Sequence, residues 1–266
     1  MEQKRKGARS LKDLSPEILD LLNKGEIESA NLTEWLAVNQ TVLLENLLRK
    51  NNRLHYLEPI LAEIGNLKKQ TTNTLNETIG IGLLDVCLRN KDNQFLHDIS
   101  SHTSDSIRCW MTYTIGRNPQ LSLSQKLEKI QPFAADTHFG VREISWMTVR
   151  PSIIENLEES LRILSGWTLS ENENIRRFAS EATRPRGVWC EHIEALKTNP
   201  ELALPILEPL KTDSSKYVCD SVGNWLNDAS KSQPQFVIEL CSKWEKESPS
   251  KATSYIVKKA LRTLNK

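Results

Sequence analysis

The sequence predicts an all-α chain built as a stack of paired helices, and three observations predict it. Apolar residues recur at helical spacing along nearly the whole length, the strict apolar/polar alternation of a half-buried strand is hard to find, and one segment repeats further down the chain. At 266 residues, 38% hydrophobic and 26% charged, the chain is long enough to bury a large core, and only 10 Gly and 11 Pro leave few turn formers. The first element is marked by Ser15-Pro16-Glu17, an N-cap serine and a proline at the first helical position, followed by Ile18, Leu19, Leu21 and Leu22; Gly25 ends it. Thr33 caps a helix carrying Trp35, Leu36, Val38, Val42, Leu43 and Leu47, which Asn51-Asn52 breaks. Further helices are expected near 54–66, 71–89, 92–101, 104–116, 122–135, 140–149, 152–165, 172–183, 188–198, 200–210, 215–230, 233–246 and 250–264.

The repeat is explicit. His138-Phe139-Gly140-Val141-Arg142-Glu143-Ile144-Ser145 through Arg150-Pro151 resembles Asn174-Ile175-Arg176-Arg177-Phe178-Ala179-Ser180-Glu181 through Arg184-Pro185, and the two Arg-Pro pairs lie 34 positions apart. A looser copy runs from Lys216-Tyr217-Val218 to Asp228, and an earlier one begins at Asp105-Ser106-Ile107-Arg108. Such spacing suits HEAT-like repeats, in which each helix pair buries its apolar face against its neighbours. The expectation is one α-α superhelix over 1–266, with an N-terminal helical region at 1–50 and repeats at 51–266. The second helix of each pair would line a concave groove on which Glu143, Glu181 and Trp225 open together.

Composition excludes several classes. With 35 Lys+Arg against 34 Asp+Glu the chain is not a basic-tail nucleic-acid binder. Its longest apolar runs, such as Ile79-Gly80-Ile81-Gly82-Leu83-Leu84, fall far short of the roughly 20 residues a membrane span needs. Met1-Glu2-Gln3-Lys4-Arg5-Lys6 is basic, but Leu11-Lys12-Asp13-Leu14 follows it where a secretory signal would need an apolar stretch, so a cytoplasmic location is expected. Cys87, Cys109, Cys190, Cys219 and Cys241 are scattered singly, and neither they nor the five histidines have metal-ligand spacing; no metal or cofactor is expected.

Arginine, tryptophan and carboxylate alternate within the repeats. Arg176, Arg177, Arg184 and Arg186 put four guanidiniums in eleven residues, suited either to phosphates or to a solvated basic face. Arg177 and Glu181 also have the spacing of a simple i,i+4 ion pair. Trp146, Trp167 and Trp244 read as packing residues, whereas Trp189, after the Arg-Pro-Arg turn, and Trp225, on the third copy, are better placed to face a ligand.

The segment Arg176 to Trp189, together with His138 to Glu143, Asp220 to Asp228, Lys6-Gly7-Ala8-Arg9 and Gly25 to Ala37, resembles the AlkC family of DNA alkylation repair proteins, relatives of the AlkD glycosylases. Some members of that family carry an added C-terminal β-sandwich domain, and this chain ends soon after Leu264. The resemblance implies a monofunctional DNA glycosylase that removes cationic N-alkylated bases such as 3-methyladenine and 3-methylcytosine from duplex DNA without turning the base into a pocket; a monomer, nucleoid-associated when bound to DNA, is expected. It implies Glu143 and Glu181 as catalytic carboxylates; Phe139 stands four residues before Glu143, like the Trp-x-x-x-Asp pair of the related branch. Trp189 and Trp225 are then expected at the lesion or its deoxyribose, and Arg176, Arg177 and Arg186, with Lys258 and Lys259, at phosphates. Asp220 and Asp228 are expected in the groove, or as capping or pairing residues within their repeats. A non-catalytic HEAT scaffold binding DNA or protein is the alternative, and near-neutral charge speaks for it.

Overall fold

The computed structural model describes residues 5–265, and among them there are helices and loops but no strand. The α-helices are α1 (Pro16–Asn23), α2 (Leu32–Ala37), α3 (Gln40–Lys50), α4 (Leu57–Gly65), α5 (Thr72–Asn90), α6 (Asn93–Ile99), α7 (Asp105–Gly116) and α8 (Leu123–Ala134). They continue with α9 (Phe139–Glu155), α10 (Leu157–Trp167), α11 (Glu173–Ala182), α12 (Glu194–Thr198), α13 (Leu204–Leu210), α14 (Lys216–Ser230), α15 (Pro234–Glu247) and α16 (Lys251–Ala260). None is long and apolar enough to cross a membrane.

The chain forms two compact units, one of residues 1–120 with 136–148 and one of 121–135 with 149–266. In the first, α5 packs against α4, α6 and α7 around Ile79, Leu83, Ile107 and Trp110, and the Trp110 indole donates to Gln40 Oε1 at 3.0 Å. In the second, α11, α14 and α16 lie side by side, each with an outer partner in α10, α13 and α15, which is the pairing of HEAT-like repeats. Phe178, Leu207, Trp225, Trp244 and Ile256 fill that unit's core.

Local chemistry accounts for the boundaries. Ser15 caps α1 by accepting from the Ile18 amide, and Gly25, at φ +70°, closes it with the paired bonds Glu26 N–H to Leu21 carbonyl and Gly25 N–H to Leu22 carbonyl. The single helix expected from Thr33 to Leu47 is two: Asn31, not Thr33, caps α2, and Asn39 breaks the run by capping α3 through the Val42 amide. Pro151 does not divide 140–149 from 152–165; α9 runs through it to Glu155. The helix expected over 188–198 is confined to Glu194–Thr198, because Trp189 has left-handed backbone at φ 65°.

One corner recurs with the sequence repeat. Arg108, Arg142 and Arg176, each 34 residues after the last, stand in the first turn of α7, α9 and α11. Each sends Nη1 back to the carbonyls six and five residues earlier: His102 and Thr103 (both 2.8 Å), Asp136 and Thr137 (2.7 and 3.0 Å), Ser170 and Glu171 (2.9 and 3.0 Å). Arg108 also forks onto Asp136 (2.8 and 3.0 Å) and Arg176 onto Asp213 (2.7 and 2.9 Å), tying one helix pair to the loop of the next.

Candidate active site

In the first unit, Glu143 lies half-buried one turn into α9, and the buried Trp146 donates its indole N–H to Glu143 Oε2 at 2.9 Å. That bond selects a rotamer for the carboxylate, since the i,i+3 spacing puts the two side chains on one helix face. Phe139, one turn earlier on the same face, is half-buried and rests against the His138 ring at 4.6 Å between centroids. His138 is fixed by Ser29 (Nε2 to Oγ 3.1 Å, Nε2 to carbonyl 2.9 Å) and Asp105 (3.5 Å), and Asp105 in turn accepts from the Ser29 amide and hydroxyl. In the same unit Arg5 forks onto the buried Glu34, which also accepts from the Ala8 and Ala30 amides. Lys4 lies outside the described residues.

In the second unit the arginines and acids gather into a buried cluster. Glu181 is 5% exposed; its Oε1 accepts from Arg184 at 2.8 Å, and its Oε2 accepts from the Ser221 hydroxyl at 2.7 Å and stands 3.4 Å from Arg177 Nη2. Arg184 reaches on to Asp228 at 2.6 and 2.9 Å, and Lys231 completes Asp228 at 3.0 Å. Burial by itself would raise the Glu181 pKa, but the charges of Arg177 and Arg184 and the hydrogen bonds from Arg184 and Ser221 hold it below the ordinary carboxylate range. Glu181 is therefore an anion with both oxygens engaged. Its surroundings correct the expectation that it stands open to substrate: it holds the two arginines.

The other expected site residues divide in the same way. Arg176 is committed to Asp213 and to the loop carbonyls, so its guanidinium is structural and not a phosphate contact. Trp225 is completely buried, its indole N–H donating to the Thr183 carbonyl at 2.9 Å, which removes it from any surface shared with Glu143 and Glu181. Asp228 is buried under Arg184, and the half-buried Asp220 accepts from Lys216, Lys259 and Tyr255, so both aspartates pair between repeats. Lys259 is thereby engaged, while Lys258 is exposed. Arg177, expected at a phosphate, is instead buried, at 7% exposure, between Glu181 and the half-buried Tyr217 ring, over which its guanidinium stacks at 4.7 Å. Arg186 is half-exposed, with no hydrogen-bond partner for its Nε among the described residues. Trp189 is 82% exposed.

Two further residues of the site, Tyr217 and Arg150, carry no distinctive sequence signal. Tyr217 was visible only as the first aromatic of the loosest repeat copy, 40 positions after Arg177. Arg150 belongs to the first Arg-Pro pair, and its side chain is buried against backbone carbonyls of the α11 end. No group of three or more potential metal ligands occurs among the described residues.

Paired helices joined by an arginine ladder, with anionic carboxylates and aromatics placed at the repeat corners, define a helical-repeat protein of HEAT-like type. Over 95% of this chain the fold is similar to that of Pseudomonas fluorescens alkylpurine DNA glycosylase AlkC, bound to DNA containing an abasic site analog, with TM-score 0.66 at 21% identity and 66% of that chain covered. AlkD2 from Streptococcus mutans matches with TM-score 0.62 at 21% identity over 81% of this chain and 98% of that one. A family model described as DNA alkylation repair enzyme matches residues 134–264 of this chain. A curated relative, the uncharacterized protein YhaZ of Bacillus subtilis (strain 168), is 39% identical over 147 residues, which are 55% of this chain and 40% of that protein. The chain thus spans less than two thirds of both YhaZ and the AlkC chain.

Proposed function

We propose that the protein is a DNA glycosylase that hydrolyses the N-glycosidic bond of cationic N-alkylated bases, of the 3-methyladenine and 3-methylcytosine type, in duplex DNA. The observation that carries the reading is Glu143: a half-buried carboxylate inside the family-matched segment, turned by the Trp146 indole and flanked by Phe139. A base alkylated to a cation leaves as a neutral molecule, so its departure needs little acid catalysis. The difficult species is the oxocarbenium ion left on the sugar, and a fixed carboxylate beside C1′ stabilises it electrostatically. Water then adds to C1′, with Glu143 accepting its proton, and an abasic site remains. An aromatic face such as Phe139 adds cation–π attraction of about 0.5–2 kcal/mol for a cationic base.

In this reading Glu181 is the carboxylate that keeps Arg177 in place over Tyr217, and Arg186 and Lys258 meet phosphates. Trp189 meets the deoxyribose or the base stack. The base need not be turned out of the duplex, since nothing in the chemistry requires a pocket around it. The near-neutral charge of +1 favours the alternative, a scaffold that binds a protein partner.

Incubation of the protein with duplex DNA bearing 3-methyladenine or 3-methylcytosine, under single-turnover conditions, separates these readings. Abasic sites that accumulate in step with free alkylated base support the glycosylase. Salt-dependent duplex binding without base release indicates a DNA-structure binder, and absence of duplex binding indicates the protein scaffold.

A further inference from the structure

The loop that displays Trp189 has its own clamp. Arg150, near the end of α9, is 1% exposed and has no carboxylate partner among the described residues. Its guanidinium donates instead to three backbone carbonyls: Nη1 to Ala182 at 2.8 Å, Nη2 to Arg184 at 2.6 Å and Nε to Glu191 at 2.7 Å. Two of these acceptors lie at the C-terminal end of α11, where the helix dipole favours a cation, and the third lies on the far side of the Trp189 turn. The Ile193 amide bonds to the Pro185 carbonyl at 3.0 Å and closes the same loop. Between these fixed ends Trp189 stands 82% exposed with φ 65°, a backbone region that an aromatic residue adopts only where its surroundings enforce it.

Gly187 carries a second, independent sign of the clamp. A Cβ built there would collide with Cys190 Sγ and lie 3.1 and 3.2 Å from Arg150 Cζ and Nη2. Only glycine lets the loop lie flat on the guanidinium. Lysine at 150 would keep the charge but could not span three acceptors in a fork.

We propose that Arg150 is a positioning residue: it fixes the loop of residues 185–191 on its guanidinium so that Trp189 is held out from the second unit in one orientation for contact with the DNA substrate. The inference rests on the glycosylase reading only for what Trp189 touches; the clamp itself is independent of it.

The test uses the full chain labelled with 5-fluorotryptophan, whose seven tryptophans give separate 19F lines, with Trp189 assigned from Trp189→Phe. Arg150→Lys and Gly187→Ala are compared with the parent. Gly187→Ala leaves Arg150 in place and serves if Arg150→Lys does not fold. Both are expected to shift and narrow the Trp189 line toward that of a mobile peptide while the other six stay put. Both should also slow single-turnover base release by about tenfold, the scale of a small misplacement of a contact group. Arg150→Lys combined with Trp189→Ala should be no slower than Trp189→Ala alone.

A Trp189 line unchanged in the folded variants would overturn the proposal, as would a double variant slower than Trp189→Ala by the full Arg150→Lys factor. A freed Trp189 line with undiminished base release would leave the clamp standing and count against the place given to Trp189 in the glycosylase reading.

Discussion

The corners at 102–108, 136–142 and 170–176 and the stem at 182–191 are both rich in arginine, yet they use it differently. At the corners Arg108, Arg142 and Arg176 repeat one geometry, each bonded to the carbonyls six and five residues earlier. At the stem no geometry repeats: Arg150 binds three carbonyls, Arg184 bridges Glu181 and Asp228, and Arg186 is half-exposed. Periodicity thus marks scaffold. An arginine recurring at the repeat period is needed by every helix pair, while the residues that break the pattern, Trp189 and Arg186 among them, are available for a task that occurs once.

Breaking the buried cluster should have the largest effect on the fold. Glu181→Ala or Asp228→Ala leaves Arg184 buried without one of its anions, and a loss of about 3–5 kcal/mol in denaturant unfolding is expected. An Asp228→Ala variant as stable as the parent would show that the cluster is not part of the scaffold. Next comes the ladder: Arg176→Gln should cost about 1.5–3 kcal/mol, the scale of hydrogen bonds to a charged group, and leave the salt dependence of duplex binding unchanged. A flattened salt slope at full stability would return Arg176 to the interface. Arg186→Gln sharpens the contrast from the other side, with little change in melting and a salt slope reduced by about one.

The smallest effect concerns the N-terminal arm. Burial opposes ionisation of Glu34, but the bonds from Arg5, Ala30 and Ala8 outweigh it and bring its pKa from 4.5 to about 2. A depressed carboxylate pKa stabilises the fold above the unfolded value, so this contribution is complete above pH 4.5 and is lost as pH falls toward 2. Glu34→Gln should lower stability at neutral pH and weaken its fall across that window; an unaltered pH profile would show that the arm does not depend on Glu34.

Most of the helical architecture was legible in the sequence because each helix pair carries its own apolar period and several carry explicit caps, such as Ser15-Pro16. The errors fall where one local competition decides. Asn39 can cap a new helix or continue an old one, and only the packing of α3 settles that choice. Trp189 reads as helical until its φ is known. At the site, sequence brought the right residue types together but could not assign partners. Arg176 and Arg177 are neighbours in sequence and successive residues of a helix are rotated by about 100°, so one enters the ladder while the other stacks on Tyr217. Trp225 looked like a ligand contact because exposure has no signature in a single sequence; its repeat-aligned position is in fact core.

In this proposal the ladder and the buried cluster hold the fold while Glu143 carries the chemistry. It is tested most directly by the single-turnover rate of 3-methyladenine release from duplex DNA by Glu143→Gln beside the parent, with melting temperatures measured on the same preparations. An unchanged melting temperature, duplex binding close to the parent's and a rate lower by about a hundredfold or more are expected, because glutamine keeps the shape and the Trp146 contact but removes the charge. Base release at the parent's rate by a folded Glu143→Gln protein would contradict it.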